Sequence, residues 1–206
     1  MKSIILSVQS KWLEKILNGE KTIEIRKTNP KCELPIDVYL RCSKGKPYIV
    51  ASYSGVVENE KPYYVDVRFM PPVISEFING KVVAKFTLNK VEKIPFDYDE
   101  HIRIYDKCCI DMEELISYSK SKTLYAWHID NLVIFDKPKE LGEFYKCGYN
   151  EALKQQEFNN EQAKGFSCFV GGVYPLEVVE KEYRLTKASQ SWQYVEVKEW
   201  QLFKLF

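Results

Sequence analysis

Apolar and polar residues alternate in short runs along this chain, and most runs have the length of a β-strand. A period of two residues places alternate side chains on opposite faces of a strand. Runs of this kind are bounded by turn-forming residues, which is typical of strands joined by short connections. Strands are therefore predicted at 3–8, 22–27, 36–42, 81–92, 124–135 and 192–199.

A helical period separates the first two strands. The apolar residues of this segment recur at the spacing of one helical face: Trp12, Leu13, Ile16 and Leu17. Ser10 is the predicted N-cap of the helix. Gly19 suits the C′ position just beyond its end, because glycine adopts a positive φ easily. The pattern thus predicts a short amphipathic helix over 10–18.

Two further signals concern turns and caps. The dipeptide Asn79-Gly80 predicts a hairpin turn that leads into the strand 81–92, since two-residue hairpin turns favour Asn-Gly. Asp111 precedes a helical segment and is its predicted N-cap.

Many short strands and few helices predict an α+β fold, a small mixed barrel-like sheet decorated by helices. Two segments interrupt the strand rhythm, 97–122 and 145–165, and the second is strongly polar. We expect both to be insertions, partly helical, outside the barrel of a single domain that spans 1–206.

Composition narrows the class of protein. The chain has 206 residues, of which 45% are hydrophobic, so it can bury a substantial core. Thirty cationic and twenty-nine anionic residues leave a formal charge of +1, which excludes a globally basic protein that coats nucleic acid. The first apolar run is too short for a signal peptide, and no run is long enough to span a membrane. We expect a cytoplasmic protein without a membrane partner.

The cysteines and histidines do not suggest a metal site. Six cysteines contain no CxxC pair, and only His101 and His128 could assist them. In the cytoplasm the cysteines are expected to be reduced. We expect neither a metal nor a cofactor. The six cysteines are Cys32, Cys42, Cys108, Cys109, Cys147 and Cys168.

The segment NGEKTIEIRK, residues 18–27, resembles the opening of an ASCH domain, a family of the PUA-like superfamily. The matching positions are Gly19, Lys21, Thr22 and Arg26, a GxKT motif followed by arginine. NGKVVAKFTLNKVEKI, LYAWHIDNLVIFDKPKEL and SQSWQYVEV resemble later strands of longer members from bacteria and phages. The resemblance implies a small β-barrel with a helix at its mouth.

The resemblance also implies binding of RNA, DNA or a modified nucleoside in a cleft beside the GxKT corner. Some members are amidohydrolases that deacetylate N4-acetylcytidine with a lysine, a threonine and a glutamate. Lys21 matches that lysine, but Glu24 stands where the threonine is expected. A carboxylate cannot supply the same hydroxyl nucleophile. If the chain is an enzyme, Lys21 and Glu24 are the candidate catalytic residues.

The polar face of the strand 22–27 has two interpretations. It could be a solvated outer face with weak ion pairs, or it could line the cleft, where Arg26 would bind a phosphate or a base edge. SQSW, residues 189–192, is either an ordinary turn with a core tryptophan or a base-binding segment. The resemblance favours the cleft. The predicted ligand-binding residues are Lys21, Thr22, Glu24, Arg26, Lys27, Ser189, Gln190 and Trp192.

Structural roles are predicted for three other residues. The pattern predicts that Trp12 and Trp127 are core residues and that His128 is a structural histidine. Lysines and arginines are in excess in the first quarter of the chain, which would suit a surface that faces phosphates. The leading hypothesis is a module that binds RNA or a nucleotide-sized ligand, with DNA as the other nucleic acid. The alternative is a metal-free hydrolase, either an amidohydrolase or a ribonuclease.

Overall fold

The computed structural model describes residues 2–45, 49–52, 63–66, 75–94, 104–165 and 175–198. The strands are β1 Lys2–Val8, β2 Ile23–Arg26, β3 Ile36–Cys42, β4 Ile49–Ser52, β5 Tyr63–Asp66, β6 Ser75–Phe77, β7 Val82–Leu88, β8 Val91–Ile94, β9 Leu124–His128, β10 Asp130–Lys139 and β11 Trp192–Glu196. The helices are α1 Ser10–Leu17, α2 Met112–Ser119, α3 Tyr149–Gly165 and α4 Leu176–Tyr183, and residues 104–108 are also helical.

The described strands form three sheets. The largest has the order β10-β7-β3-β1-β11, and the others are β2-β9-β8 and β5-β4-β6. β1 runs parallel to β3, whereas its pairing with β11 is antiparallel. The prediction of a mixed fold of strands and helices is confirmed, but these strands are not one closed barrel.

The prediction of a single sheet is wrong because the chain changes sheet within two of the predicted strands. The predicted strand 81–92 is divided into β7 and β8, and 124–135 is divided into β9 and β10. The second change occurs next to Asn131, whose φ is +48°, and the β10–β7 register shifts between Asp130 and Val133. Bends and bulges of this kind let a strand leave one sheet and enter another.

The turn at Asn79-Gly80 forms, but it does not close the predicted hairpin. β6 pairs with β4, whereas β7 pairs with β3 and β10. The turn therefore connects two sheets. Gly80 has a φ of +97°, and its amide donates to the carbonyl of Cys42 at 2.9 Å. This bond ties the turn to the end of β3.

Helix α1 begins and ends differently from an ideal capped helix. Ser10 is the first helical residue, not the N-cap, and the N-cap Gln9 makes no capping hydrogen bond with its side chain. The other end matches the prediction, because Gly19 has a φ of +78°. The amides of Gly19 and Glu20 donate to the carbonyls of Ile16 and Lys15, at 3.0 and 2.9 Å. This is a Schellman motif, which turns the chain directly into β2.

Three clusters of buried side chains make the core. The main cluster lies between the large sheet, α1 and Trp127 of β9, which is fully buried as predicted. A second cluster joins β2 to the segment 104–115. A third packs Tyr39 and Phe144 against β11. The segment 104–119 thus packs on β2, and Asp111 caps α2 as predicted, since its side chain accepts from the amide of Glu114. That 97–122 and 145–165 are insertions remains a prediction.

No helix within the described residues is long and apolar enough to cross a membrane.

Candidate functional site

Both faces of β2 are buried. Ile23 and Ile25 pack on one side against Ile110 and other apolar residues of the second core cluster. Glu24 and Arg26 occupy the opposite face, and their side chains are only 7% and 9% exposed. The predicted alternation is therefore confirmed, whereas a solvated outer face is excluded for these two residues.

Three charged side chains meet on the polar side of β2. Glu24 Oε1 lies 2.9 Å from Arg26 Nη2, and Glu24 Oε2 lies 3.5 Å from Lys21 Nζ. Lys21 Nζ also donates to the carbonyl of Cys108 at 2.5 Å. The Lys21 side chain has no exposed surface. Buried charges are stable only when partners compensate their lost hydration, so these contacts depend on one another.

The end of β1 connects this cluster to a second arginine. Arg26 Nη2 donates to the Ser7 carbonyl at 2.9 Å, while Arg41 Nη1 donates to the Ser7 hydroxyl at 3.3 Å. Ser7 faces Arg41 directly in the β1–β3 register. The Ser7 hydroxyl in turn donates to the Ser189 carbonyl at 2.7 Å, and the Ser7 amide donates to the Ser191 carbonyl at 2.8 Å. The segment before β11 is thereby held against the charged corner.

A cavity of about 320 Å³ opens at this corner. Glu24 and Arg26 form its charged wall, and the segment at Gln190 and Ser191 lies across from them. Two buried atoms of the charged wall, Glu24 Oε2 and Arg26 Nε, have no hydrogen-bond partner among the described residues. Buried polar atoms are normally bonded, so these two are candidates for contact with a ligand.

Aromatic rings border the same cavity. Trp12 comes from α1 and Tyr118 comes from α2. Lys11 Nζ lies 4.2 Å from the centre of the Trp12 ring, and Lys27 Nζ lies 4.5 Å from that of Tyr118. Burial raises the pKa of Tyr118, which keeps its phenol neutral and able to donate a hydrogen bond.

The predicted site residues are only partly brought together. Glu24, Arg26 and Gln190 line the cavity, whereas Ser189 lines a neighbouring one. Thr22 is exposed and precedes β2, so it does not share the buried face of Glu24. Lys27 is only half buried and lies over Tyr118.

Lys21 and Trp192 do not line the cavity. Lys21 contacts Glu24 from the interior and does not line the cavity. The Trp192 ring packs 5.6 Å from that of Trp127, and its Nε1 donates to the Thr28 hydroxyl at 2.8 Å. These contacts support a core role for Trp192, the first of the two interpretations of SQSW.

Sequence reasoning missed Ser7 and Tyr118, and it placed Trp12 in the core. Ser7 has the same parity as Ser3 and Ile5, so the alternation does not distinguish it from the other residues on that face of the strand. Tyr118 lies in a segment that we expect to be an insertion. The available signal was the spacing of Glu114 and Tyr118, which lie one turn apart and therefore share one face of the helix that Asp111 caps.

The excess of cations in the first quarter does not form a single surface. Lys21, Arg26 and Arg41 are buried. Lys11 pairs with Glu114 at 2.8 Å and Lys15 pairs with Glu20 at 3.0 Å. The expected phosphate-facing surface is therefore not assembled from all of these residues.

Neither a histidine nor a cysteine of the described residues lines the cavity. Among the described residues, no group of three or more histidine, cysteine or acidic side chains could hold a metal ion. His128 Nε2 lies 2.8 Å from Glu92 Oε1, away from the cavity. The described cysteines are free thiols: Cys32, Cys42, Cys108, Cys109 and Cys147.

Comparison with known proteins gives distant likenesses. No protein-family model matches the chain, and no curated protein matches it significantly. A crystal structure of ASCH from Zymomonas mobilis is 12% identical with a TM-score of 0.49, covering 98% of this chain and 92% of that one. A tyrosine-to-phenylalanine mutant of that protein has a TM-score of 0.48 and 12% identity, covering 100% and 96%. A serine-to-alanine mutant of the same protein has a TM-score of 0.49 and 11% identity, covering 98% of this chain and 93% of that one.

These three structures carry the name of the family that the GxKT segment resembles. With identities of 12% and 11%, and TM-scores of 0.49 and 0.48, they establish neither a shared fold nor a shared activity. They are solved proteins to which this chain is similar.

Proposed function

We propose that this chain is a PUA-like ASCH protein whose charged cavity binds one nucleobase of a nucleic acid, with RNA as the first ligand to test. The observation that carries the proposal is that Glu24 Oε2 and Arg26 Nε, atoms of two residues that line the cavity, make no hydrogen bond to the described residues, although Lys21 Nζ lies 3.5 Å from Glu24 Oε2. They supply one acceptor and one donor. The edge of a nucleobase presents groups of both kinds.

The chemistry of the cavity suits a base better than a phosphate. The carboxylate of Glu24 accepts from an exocyclic amine, such as that of cytosine, and it would repel a phosphate. Arg26 already gives Nη2 to Glu24 and to the Ser7 carbonyl, so Nε remains for a base acceptor. A volume of about 320 Å³ lies at the lower end of small-ligand pockets.

The aromatic walls supply the second element of base recognition. Trp12 and Tyr118 border the cavity, and flat bases stack on such rings. Single-stranded nucleic acid fits best because its bases are free to turn out of the stack.

The test is fluorescence anisotropy with short labelled RNA and DNA strands of matching mixed sequence. We expect the wild-type protein to bind single-stranded RNA, and Glu24→Gln to weaken binding by about tenfold, since the amide replaces an acceptor pair with one acceptor and one donor. Glu20→Gln is the matched control, because Glu20 is an exposed glutamate of the same corner and lies outside the cavity.

Thermal unfolding of both variants separates loss of binding from loss of fold. A wild-type protein that binds neither RNA nor DNA at low salt would refute the proposal. Equal affinities of the Glu24→Gln and Glu20→Gln variants would refute the role of Glu24.

Hydrolysis is a second candidate function, favoured by the same Glu24 oxygen, which could accept a proton as a general base. RNA carries its own nucleophile, the 2′-hydroxyl, so cleavage would not require one from the protein. In N4-acetylcytidine the ribose hydroxyls are too far from the acetyl group to attack it, and the exposed Thr22 does not share the buried face of Glu24. We therefore expect no deacetylation on the order of 1 s⁻¹ or faster, and RNA fragments on a gel would identify a ribonuclease.

A further inference from the structure

A second, larger cavity lies beside the first. Its volume is about 910 Å³, and Ser7, Gln9, Ser43 and Gln190 line both cavities. One continuous ligand could therefore extend from one cavity into the other. The chemistry of the two differs, because the first is bordered by two carboxylates, those of Glu24 and Glu114, and by aromatic rings.

Cations dominate the lining of the second cavity. Four cationic side chains line it, together with a single carboxylate, that of Glu140. Lys81 Nζ lies 3.0 Å from Glu140 Oε1, so this carboxylate already has a partner. The cations are Arg41, Lys44, Lys81 and Lys187.

Arg41 is the cation whose surroundings point to a ligand. It is only 8% exposed, and no carboxylate of the described residues pairs with it. Its Nε donates to the Gly80 carbonyl at 3.2 Å and its Nη1 to the Ser7 hydroxyl at 3.3 Å, both uncharged acceptors. Burial lowers the pKa of Arg41, because the charged form loses hydration there. An anion in the cavity would compensate that loss.

The two arginines share one residue of β1. Arg26 contacts the carbonyl of Ser7 and Arg41 contacts its hydroxyl. Arg26 lies in the wall of the first cavity and Arg41 in that of the second. A ligand with a base and an attached phosphate has the same two parts at neighbouring positions.

We infer that the second cavity is a phosphate site centred on Arg41, which holds the phosphate of the nucleotide whose base occupies the first cavity. The inference rests on the proposed function, and it makes the ligand a nucleotide or a nucleic acid strand and not a free nucleoside. Guanidinium groups bind phosphate through paired hydrogen bonds, and Lys44 and Lys187, both exposed, add charge at the rim.

The experiment compares three probes by equilibrium binding: cytidine, cytidine monophosphate and a short single-stranded RNA. We expect the phosphorylated probes to bind more tightly than cytidine. We expect Arg41→Gln to weaken the binding of both phosphorylated probes by about tenfold and to leave that of cytidine unchanged. Tighter binding of RNA than of the monophosphate would identify a strand as the ligand, and equal binding would identify a free nucleotide.

The salt dependence gives a second readout. A lost phosphate contact reduces the slope of log K against log salt by about 0.7 for a single strand. Lys187→Ala should produce a similar reduction without altering the core, because Lys187 is exposed. Lys93→Ala is the matched control, an exposed lysine outside both cavities. Thermal unfolding of Arg41→Gln shows whether the variant folds.

The outcomes separate the two proposals. RNA binding that requires Glu24 but is unchanged in Arg41→Gln and Lys187→Ala would overturn the phosphate site and leave the proposed function standing. If the wild-type protein binds none of the three probes, both proposals fail. Equal affinity for cytidine and its monophosphate would also overturn the phosphate site.

Discussion

The two faces of β2 are both buried, yet they are built from opposite chemistry. One face carries Ile23 and Ile25, which pack in an apolar cluster with partners such as Leu115. The other carries Glu24 and Arg26, which pair with each other and border a cavity. Adjacent residues of one strand are therefore all buried but have opposite chemistry, and Ile25 of the apolar face also lines the cavity.

The difference shows where the fold departs from what stability alone favours. Apolar side chains gain free energy on burial, whereas buried ion pairs are often no better than apolar residues of the same volume. The polar face also leaves Glu24 Oε2 and Arg26 Nε without a hydrogen bond to any of the described residues. Departures of this kind concentrate at functional sites. The polar face is thus the candidate site and the apolar face is its support.

The largest expected effect comes from Lys21→Met. Its Nζ contacts Glu24 Oε2 and the Cys108 carbonyl, so removing the ammonium leaves a buried carboxylate with one cation fewer. We expect a loss of about 3–5 kcal/mol in the free energy of unfolding, measured by urea denaturation. The double variant Lys21→Met/Glu24→Gln should recover part of this loss, because it removes both charges. Equal losses in the single and double variants would show that the two charges are not coupled.

Ile23→Ala tests the apolar face. We expect it to lower the free energy of unfolding by about 2–5 kcal/mol, because it leaves a cavity in the second core cluster. Ile23 does not line the charged cavity, so RNA affinity should match the wild type wherever the variant is folded. A loss of affinity in the folded variant would show that the two faces are not separable.

The sequence predicted the alternation of β2 but not what covers each face. The two-residue period of a strand places Glu24 and Ile25 on opposite sides, but it does not predict that both sides are buried. The covers come from distant segments. Leu115 of α2 packs in the apolar cluster, whereas β1, the region of Ser191 and Tyr118 of α2 border the cavity on the polar side. Burial of Glu24 is a tertiary property, which local pattern does not contain.

Local signals were more successful where the chain contacts only its neighbours. Gly19 ends α1 and Asp111 begins α2, since both depend on backbone groups a few residues away. The change of sheet near Asn131 was missed because neither glycine nor proline marks it, although Asp130 and Asn131 are adjacent polar residues of types that favour turns. The prediction of a single barrel-like sheet was wrong because this change of sheet was missed.

A smaller effect is expected from Tyr118→Ala, which removes one aromatic wall of the cavity. Base stacking on an aromatic side chain contributes about 1–3 kcal/mol, so RNA binding should weaken by a corresponding factor. Anisotropy titrations measure this loss. Tyr105→Ala is the control, because Tyr105 is an exposed tyrosine outside the cavity. Unchanged affinity in Tyr118→Ala would remove stacking on this ring from the mechanism.

The smallest effect is expected from Thr22→Val. Thr22 is exposed and lies outside the buried polar face, although the GxKT motif includes it. We expect both unfolding free energy and RNA affinity to remain within about 0.5 kcal/mol of the wild type. A clear loss of affinity would extend the site to the solvent side of the corner.

The pairing of β1 with β11 has a consequence for the order of folding. Residues of β1 near position 2 pair with residues near position 196, so this contact closes almost the whole described chain. Such non-local contacts form slowly, because a long loop must close before they are made. During synthesis on the ribosome β11 emerges late. The wall that contains Gln190 and Ser191 can therefore join Glu24 and Arg26 only after the described residues that precede it have been made.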